Sequence, residues 1–364
     1  MKFSVDREKL QKALQRVGSI IGARSMLPLL GNVLVEAGEG ELKLCTTDLD
    51  IRINTSVEAE VSEPGRSTVP ARRLASLVGS FTADKIDFEV DDKDHFKIVC
   101  GTGRFTLLGL PAADFPEPAA FEGIREIKLK ESEFKRMITA IGYAVSADDS
   151  RKVLTGVLMS CKDSVLTMVA TDGKRMAMQE KAPEVFSGSD GDAIVPLKAV
   201  NETKRLLEGS EPVSIVIGEK QCLFRGGNFE LTSKLIEGNY PNYRQVIPVS
   251  YKKEIEIPVA PFLSKIETIS LLLSESSSYI ILSFGENRMG IQGSSSEFGE
   301  GSDAIDINYT DEPFEISFNP AYLADPMRVA CCESIKLKIN DPLNPVGMDA
   351  DEGFLYVIMP IRKK

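Results

Sequence analysis

Apolar and polar positions alternate with period two along much of this chain, as in VLVEAG at 33–38, ELKLCTT at 41–47, KIDFEV at 85–90 and HFKIVC at 95–100. Runs of this kind, broken by polar turns, predict half-buried strands joined as hairpins. The alternation gives way to helical spacing in the windows 6–16, 71–80, 131–141, 197–208, 261–271 and 320–330. In the first window Leu10, Ala13, Leu14 and Val17 share an arc that can be buried. On a neighbouring arc, at about 100° per residue, Lys9, Lys12 and Arg16 fall within about 60° of one another. In the second, Arg72 and Arg73 sit opposite Leu74, Leu77 and Val78. Lys135 and Arg136, then Lys198, Lys204 and Arg205, continue the theme. Pro326 falls inside the sixth window, where an interior proline costs about 3 kcal/mol, and predicts a kink or a break.

The pattern repeats. KFSVDREKLQKAL, IKLKESEFKRMI and IEIPVAPFLSKI each read as a short strand running into a helix, with Leu10, Phe134 and Phe262 spaced 124 and 128 apart. A second strand-then-helix unit carries Pro70, Pro196 and Pro320, at spacings of 126 and 124. Thr47-Asp48 returns after 124 residues as Thr171-Asp172, and Gly103-Arg104-Phe105 returns after 124 as Gly227-Asn228-Phe229. Several matches at nearly one period predict three similar domains, at 1–123, 124–252 and 253–364. Each reads as α+β, with two helices on mainly antiparallel sheet.

Charge refines this. The chain carries a formal net charge of −11, yet the six helical windows sum to +5 and leave −16 elsewhere. A mildly basic helical face on an acidic body would attract phosphates weakly and without sequence preference. No apolar run is long enough to span a membrane, the N-terminus lacks a secretory layout, and the expected location is the cytosol. The six cysteines form no Cys-x-x-Cys pair and read as buried or half-buried free thiols. Cys331 and Cys332 are expected on a strand or a helix. His95, the single histidine, sits in DDKDH and reads as a hairpin tip.

Signatures of catalysis are missing: the chain has no phosphate loop, dinucleotide fingerprint, zinc-protease helix or nucleophile elbow. Ser132 and Lys135 match the S-x-x-K start of a serine acyl-enzyme signature, but the companion segments S-D-N and K-T-G are absent. Ser132 reads instead as a helix cap. The stretch TMVATDGKRMAMQEK at 167–181 reads as a hairpin, with Gly173 supplying the positive φ of a tight turn.

Taken together, MKFSVDREKL, LPLLGNVL, TTDLDI, STVPARRL, LPAADFP, ATDGKRMA, VPLKAV, SKLIEGNYPNYRQVIP and VIMPIR resemble, in this order and from end to end, the bacterial DNA sliding clamps, the beta subunits of DNA polymerase III. The resemblance implies the DNA clamp fold: three similar domains per chain, assembled head to tail as a closed ring dimer with helices inside and sheets outside. It also implies a non-catalytic processivity factor without metal or cofactor. Its partners would be duplex DNA, held topologically, a second copy of itself, the polymerase catalytic subunit, an ATP-driven clamp loader, and other polymerases and repair proteins. No membrane is involved.

Carried over residue by residue, the resemblance places a partner-peptide cleft at Leu154, Thr171, Gly173, Lys174, Arg175, Met176, Pro241, Gln245 and Val246. The third domain would add Asn319, Tyr322, Val357, Met359, Pro360, Ile361 and Arg362. Met176, Met359 and Ile361 would give an adaptable apolar floor, and Arg175 and Arg362 would orient backbone or carboxylate groups. Lys174 and Gln245 stand where the family often has His and Arg, which bears on the preference for flanking peptide residues. The DNA-facing set is Lys9, Lys12, Arg16, Arg24, Arg72, Arg73, Lys135, Arg136, Lys198, Lys204 and Arg205. The dimer seam would use Phe105 and Leu107 against Leu272 and Leu273, with Glu297 and Glu300 nearby. The competing reading is a repeat-built scaffold that binds partners without encircling DNA, with a Ser132 hydrolase a distant third.

Overall fold

The computed structural model describes residues 1–22, 27–209, 211–274 and 279–362. The first domain runs β1 (Lys2–Asp6), α1 (Arg7–Gly18), β2 (Asn32–Gly38), β3 (Glu41–Thr47), β4 (Ile51–Glu63), β5 (Gly65–Pro70), α2 (Ala71–Ser80), β6 (Lys85–Val90), β7 (His95–Cys100) and β8 (Gly103–Leu108). The second runs β9 (Arg125–Lys130), α3 (Glu131–Ile141), β10 (Gly156–Lys162), β11 (Val165–Thr171), β12 (Arg175–Lys181), β13 (Val185–Gly188), β14 (Gly191–Pro196), α4 (Leu197–Leu206), β15 (Pro212–Ile217), β16 (Gln221–Gly226) and β17 (Phe229–Lys234). The third runs β18 (Lys253–Pro258), α5 (Val259–Ser270), β19 (Ile280–Gly285), β20 (Arg288–Ser295), β21 (Gly299–Asp306), β22 (Phe314–Phe318), α6 (Pro320–Val329), β23 (Ser334–Ile339), β24 (Val346–Asp349) and β25 (Phe354–Ile358). The order repeats three times, with β13 as the one insertion, in the second domain.

By packing, the chain divides into two units: Met1–Phe134 with Glu184–Ser189 and Lys198–Leu235, and Lys135–Pro183 with Asp190–Leu197 and Ile236–Lys364. In the first unit, one sheet is ordered β13-β9-β15-β16-β17-β4-β1-β6-β7-β8, and β3, β2 and β5 branch from β4. β4 can serve both branches because it is 13 residues long. Residues 59–63 pair with β1, residues 51–55 pair with β17, and residues 52–58 pair with β3. In the second unit an eight-stranded sheet, β14-β10-β11-β12-β25-β24-β23-β18, accompanies a four-stranded one, β21-β20-β19-β22.

The helices bury the faces that the spacing predicts: Leu10, Ala13, Leu14 and Val17 on α1, Ala71, Leu74 and Val78 on α2, and Val259, Phe262, Ile266 and Ile269 on α5. Asp6 caps α1 by accepting from the Lys9 amide at 2.8 Å, which satisfies a donor that the helix itself leaves open.

Two expectations are corrected here, and a third is narrowed. α3 begins at Glu131, so Ser132 is an exposed residue of its first turn and not the residue before it. Cys331 and Cys332 lie in the loop between α6 and β23, and Cys331 is exposed. α6 runs through Pro326 without a break. Proline supplies no N–H to the carbonyl four residues earlier, and that carbonyl, on Tyr322, accepts instead from the Tyr356 hydroxyl at 2.7 Å.

Candidate functional site

The turn between β11 and β12 is built by its own side chains. Thr171 Oγ1 accepts from the Gly173 amide at 3.0 Å and donates to the Arg175 carbonyl at 2.6 Å. Asp172 Oδ1 accepts from the amides of Lys174 at 2.8 Å and Arg175 at 3.0 Å. Gly173 has φ 87°, so the hairpin expectation holds. Beneath the turn, Met176 pairs with Val357 across β12 and β25, and both join Leu158, Val169 and Ile194 in a buried cluster. Tyr240, Tyr243, Ile236 and Ile247 pack over that cluster half-buried. The Met359 amide donates to the Lys174 carbonyl at 2.9 Å, and the Ile361 amide to the Ser317 carbonyl at 2.7 Å. The VIMPIR segment is thereby fixed to the turn and to β22.

The predicted cleft residues divide by exposure. Gly173, Lys174, Pro241, Gln245, Val246, Met359 and Arg362 are exposed, and Thr171, Asn319, Tyr322, Pro360 and Ile361 are half-buried. Met176, Val357 and Leu154 are only 2%, 2% and 5% exposed. They form the foundation of the surface, and Met359 and Val246 are large apolar side chains that it exposes. Asn319 Oδ1 caps α6 by accepting from the amides of Ala321 at 2.9 Å and Tyr322 at 3.3 Å.

Arg175 is committed inward. Its guanidinium donates to Asp172 at 3.1 Å, to Asp325 at 2.5 Å and to the Tyr143 carbonyl at 2.7 Å. It also lies 4.3 Å from the ring centroid of Tyr322. Burial opposes its charge, and the bond to Asp325 and the neighbouring Tyr356 outweigh that, so its pKa is raised. The expectation that Arg175 orients a docking chain is therefore replaced by a positioning role, locking the turn onto α6.

Most of the predicted DNA-facing residues also have partners. In the first unit, Lys9 pairs with Glu58 at 2.6 Å, Arg16 with Glu208, Lys198 with Asp48, and Arg205 with Glu202 at 2.9 Å. Arg205 further donates to the Arg16 carbonyl and to Ser19 Oγ, each at 2.6 Å, satisfying the end of α1. Arg72 donates to the Ile21 carbonyl at 2.9 Å. Lys12 and Arg73 are exposed, and Lys204 and Lys135 are half-buried. In the second unit Arg136 lies 3.1 Å from Asp351. Arg24 lies outside the described residues.

Three domain families match the chain in order: the N-terminal domain of the DNA polymerase III beta subunit over residues 1–119, its central domain over 128–242 and its C-terminal domain over 244–362. The chain belongs to the DNA polymerase III beta subunit family. It is 33% identical to the beta sliding clamps of Salmonella typhimurium strain LT2 and Escherichia coli strain K12, each aligned over 100% of both chains. Among solved structures, the DNA polymerase III subunit beta of Pseudomonas aeruginosa superposes with a TM-score of 0.96 at 32% identity, and the sliding clamp of Bacillus subtilis with 0.95 at 27%, both over 100% of each chain. The DNA clamp fold of three similar domains follows, and with it the role of the family as a processivity factor in DNA replication.

Among the described residues of this clamp-family chain, β8 in the first unit and β21 in the second each end a sheet with a neighbour on one side only, as do β5, β13, β14, β18 and β22. On β8, Phe105 is 39% exposed and Leu108 66% exposed, while Leu107 is half-buried. Phe105 leans on Phe81 with ring centroids 5.2 Å apart. Beside β21, Leu272 and Leu273 are half-buried, Leu271 is 80% exposed, and Glu297 and Glu300 are exposed. Gly301 on β21 packs beside Leu272, whose Cδ1 lies 2.6 Å from where a Cβ at 301 would stand. Sequence reasoning missed Leu108, Asp325, Tyr143 and Tyr356. The last three come from separate elements, and no spacing links them to Arg175.

Proposed function

We propose that two copies of this chain close head to tail into a ring that encircles duplex DNA, slides without sequence preference and tethers replication and repair proteins. Strand pairing carries the reading. The fourth strand of the first domain pairs with the last strand of the second, β4 with β17, and the fourth strand of the second pairs with the last of the third, β12 with β25. The same rule applied once more joins β21 of one chain to β8 of another, and each of the two ends its sheet with a free side. Exposed edges of this kind invite pairing, and a head-to-tail contact stays finite only if it closes. The domains are assigned to 1–123, 124–252 and 253–364.

The basic residues of the helices face the DNA in this reading, and their acidic partners keep the attraction weak. Apolar-tipped peptides of the polymerase, the clamp loader and repair proteins dock on Met359, Val246, Ile361 and the turn at Gly173–Lys174. The chain performs no chemistry of its own and acts in the cytoplasm.

The test is retention on DNA. The protein is loaded on a nicked circular plasmid by a clamp loader with ATP, freed of unbound protein by gel filtration, and the circle is then cut once. Run-off only after linearisation is expected. Retention that ignores circularity would replace the ring by the scaffold reading.

A further inference from the structure

The first unit contains a cavity of about 510 Å³ beside the junction of β4 and β17, a volume suited to a small ligand or the end of a peptide. It stands in the first unit where the proposed docking surface stands in the second. Leu34 pairs with Cys45 as Leu158 pairs with Val169. Arg52 faces Thr232 across β4 and β17 as Met176 faces Val357 across β12 and β25. Phe115-Pro116 lies near the end of the first domain as Tyr240-Pro241 lies near the end of the second. The decisive difference is Arg52, a half-buried cation where the other junction has a buried methionine.

Arg52 is electrostatically unsatisfied. Its guanidinium lies 5.6 Å from the Phe115 ring centroid, donates to Cys45 Sγ at 2.9 Å and donates to the Pro116 carbonyl. Neither acceptor is anionic, because burial pushes the Cys45 thiol up to about 11 and keeps it protonated at neutral pH. The carboxylates that line the cavity have other partners: Glu36 and Glu117 lie 3.7 and 3.2 Å from Arg66, Glu41 lies 3.4 Å from Lys43, and Glu230 lies 2.7 Å from Arg225. Among the described residues Arg52 has no carboxylate partner.

We propose that this cavity is a second docking site, which receives the C-terminal residue of a partner protein, its apolar side chain against the more exposed Pro116 and Pro118 over buried Leu34 and Phe115, and its α-carboxylate on Arg52. A terminal residue fits better than an internal acidic one. In an extended chain successive side chains point to opposite sides, so an internal carboxylate next to an apolar residue turns away from it. A terminal residue carries both groups on one Cα. The planar guanidinium matches a carboxylate through paired donors.

The inference takes its template from the docking reading of the second unit, so the experiment separates the two. N-acetyl-L-phenylalanine and its near-isosteric amide, in which an NH2 group replaces the charged oxygen, are titrated into the full chain with isotope-labelled Leu and Met methyls. The acid is expected to shift the Leu34 and Leu44 methyls saturably and to bind about ten-fold tighter than the amide, the discrimination of one charged hydrogen-bonded pair. Arg52→Gln should erase that difference, and Arg52→Lys should keep part of it, with the remaining methyl spectrum reporting that both variants fold. Equal binding of acid and amide, no shift at Leu34 and Leu44, or discrimination that survives Arg52→Gln would overturn the proposal. The docking surface of the second unit is read in the same spectra from the Met359 methyl with a leucine-tipped peptide. A silent Met359 overturns that reading alone.

Discussion

Replacing Arg175 with methionine keeps much of the apolar stem and removes the fork that holds the β11–β12 turn. The wild-type side chain is 9% exposed, and its partners Asp172 and Asp325 are 15% and 21% exposed. Breaking a buried ion pair from one side costs about 3–5 kcal/mol, because the remaining charge stays desolvated. Here the carboxylates keep some solvent, and Asp325 retains Arg328 at 3.1 Å. The lower end, about 3 kcal/mol, is therefore expected. Native-state hydrogen exchange reads this locally. A loss of about 3 kcal/mol accelerates exchange of the β11, β12 and β25 amides by on the order of a hundred-fold, with β6 and β7 amides as the internal reference. Arg175→Lys should recover only part, since one ammonium cannot reach Asp172, Asp325 and the Tyr143 carbonyl in one plane. Acceleration of less than about five-fold, roughly 1 kcal/mol, or full recovery by lysine, would refute the positioning role.

Tyr356→Phe removes the donor to the Tyr322 carbonyl and should cost about 1–2 kcal/mol in urea unfolding. In that background Pro326→Ala restores a helical N–H and should recover part of the loss, whereas strictly additive effects would break the link. Burial raises the Cys45 and Cys222 thiols to about 11 and about 12, so both stay neutral until the pH climbs through those values. Iodoacetamide at pH 8 should label exposed Cys331 and spare both, as read by mass spectrometry, and rapid Cys45 labelling would contradict the burial argument. Phe105→Glu places a charge on the exposed edge of β8. An unpaired charge at a closed seam costs at least about 2 kcal/mol, so sedimentation should show the dimer dissociation constant rising about 30-fold, and an unchanged constant would remove β8 from the seam.

Periodicity was a sufficient guide wherever local sequence decides structure. Six helices lie where the spacing places them, because each apolar stripe has only one face to bury. The turn at Thr171–Arg175 was equally legible, since its hydrogen bonds join residues two to four apart. What escaped depends on residues far apart in the chain. Ser132 and Glu131 are equally plausible helix starts in the sequence, and the choice follows from Glu131, which is buried and accepts from the Gly209 amide. The basic helical faces were visible as Lys9, Arg16, Lys198 and Arg205, but Glu58, Glu208 and Asp48, which temper them, lie on other elements. Pairing of β4 with β17 and of β12 with β25 joins residues 174 or more positions apart, and no local pattern encodes it.

The two copies of the Thr-Asp turn separate what a fold requires from what a site requires. Thr47 and Asp48 build the first with the same bonds as Thr171 and Asp172: the Leu49 amide to Thr47 Oγ1 at 3.0 Å, and the Ile51 amide to Asp48 Oδ1 at 2.7 Å. Both turns place their third residue in the left-handed region, Leu49 at φ 78° and Gly173 at φ 87°. Since Leu49 adopts that conformation with its side chain 47% exposed, positive φ alone does not demand glycine here, although it costs a leucine about 1 kcal/mol or more. The missing Cβ at 173 also leaves room for a neighbouring side chain. A Cβ there would meet the Arg151 guanidinium at 2.7 Å, and Arg151 occupies that space to donate to the Asp172 carbonyl at 2.8 Å. The turn is common to both domains, and the residues packed on it are not. Arg151 and Arg175 make the second copy a rigid wall, whereas Leu49 in the first presents an apolar tip to solvent. Divergence of function between repeats thus lies in the side chains laid over a shared backbone, and the same holds for Arg52 where its counterpart is Met176.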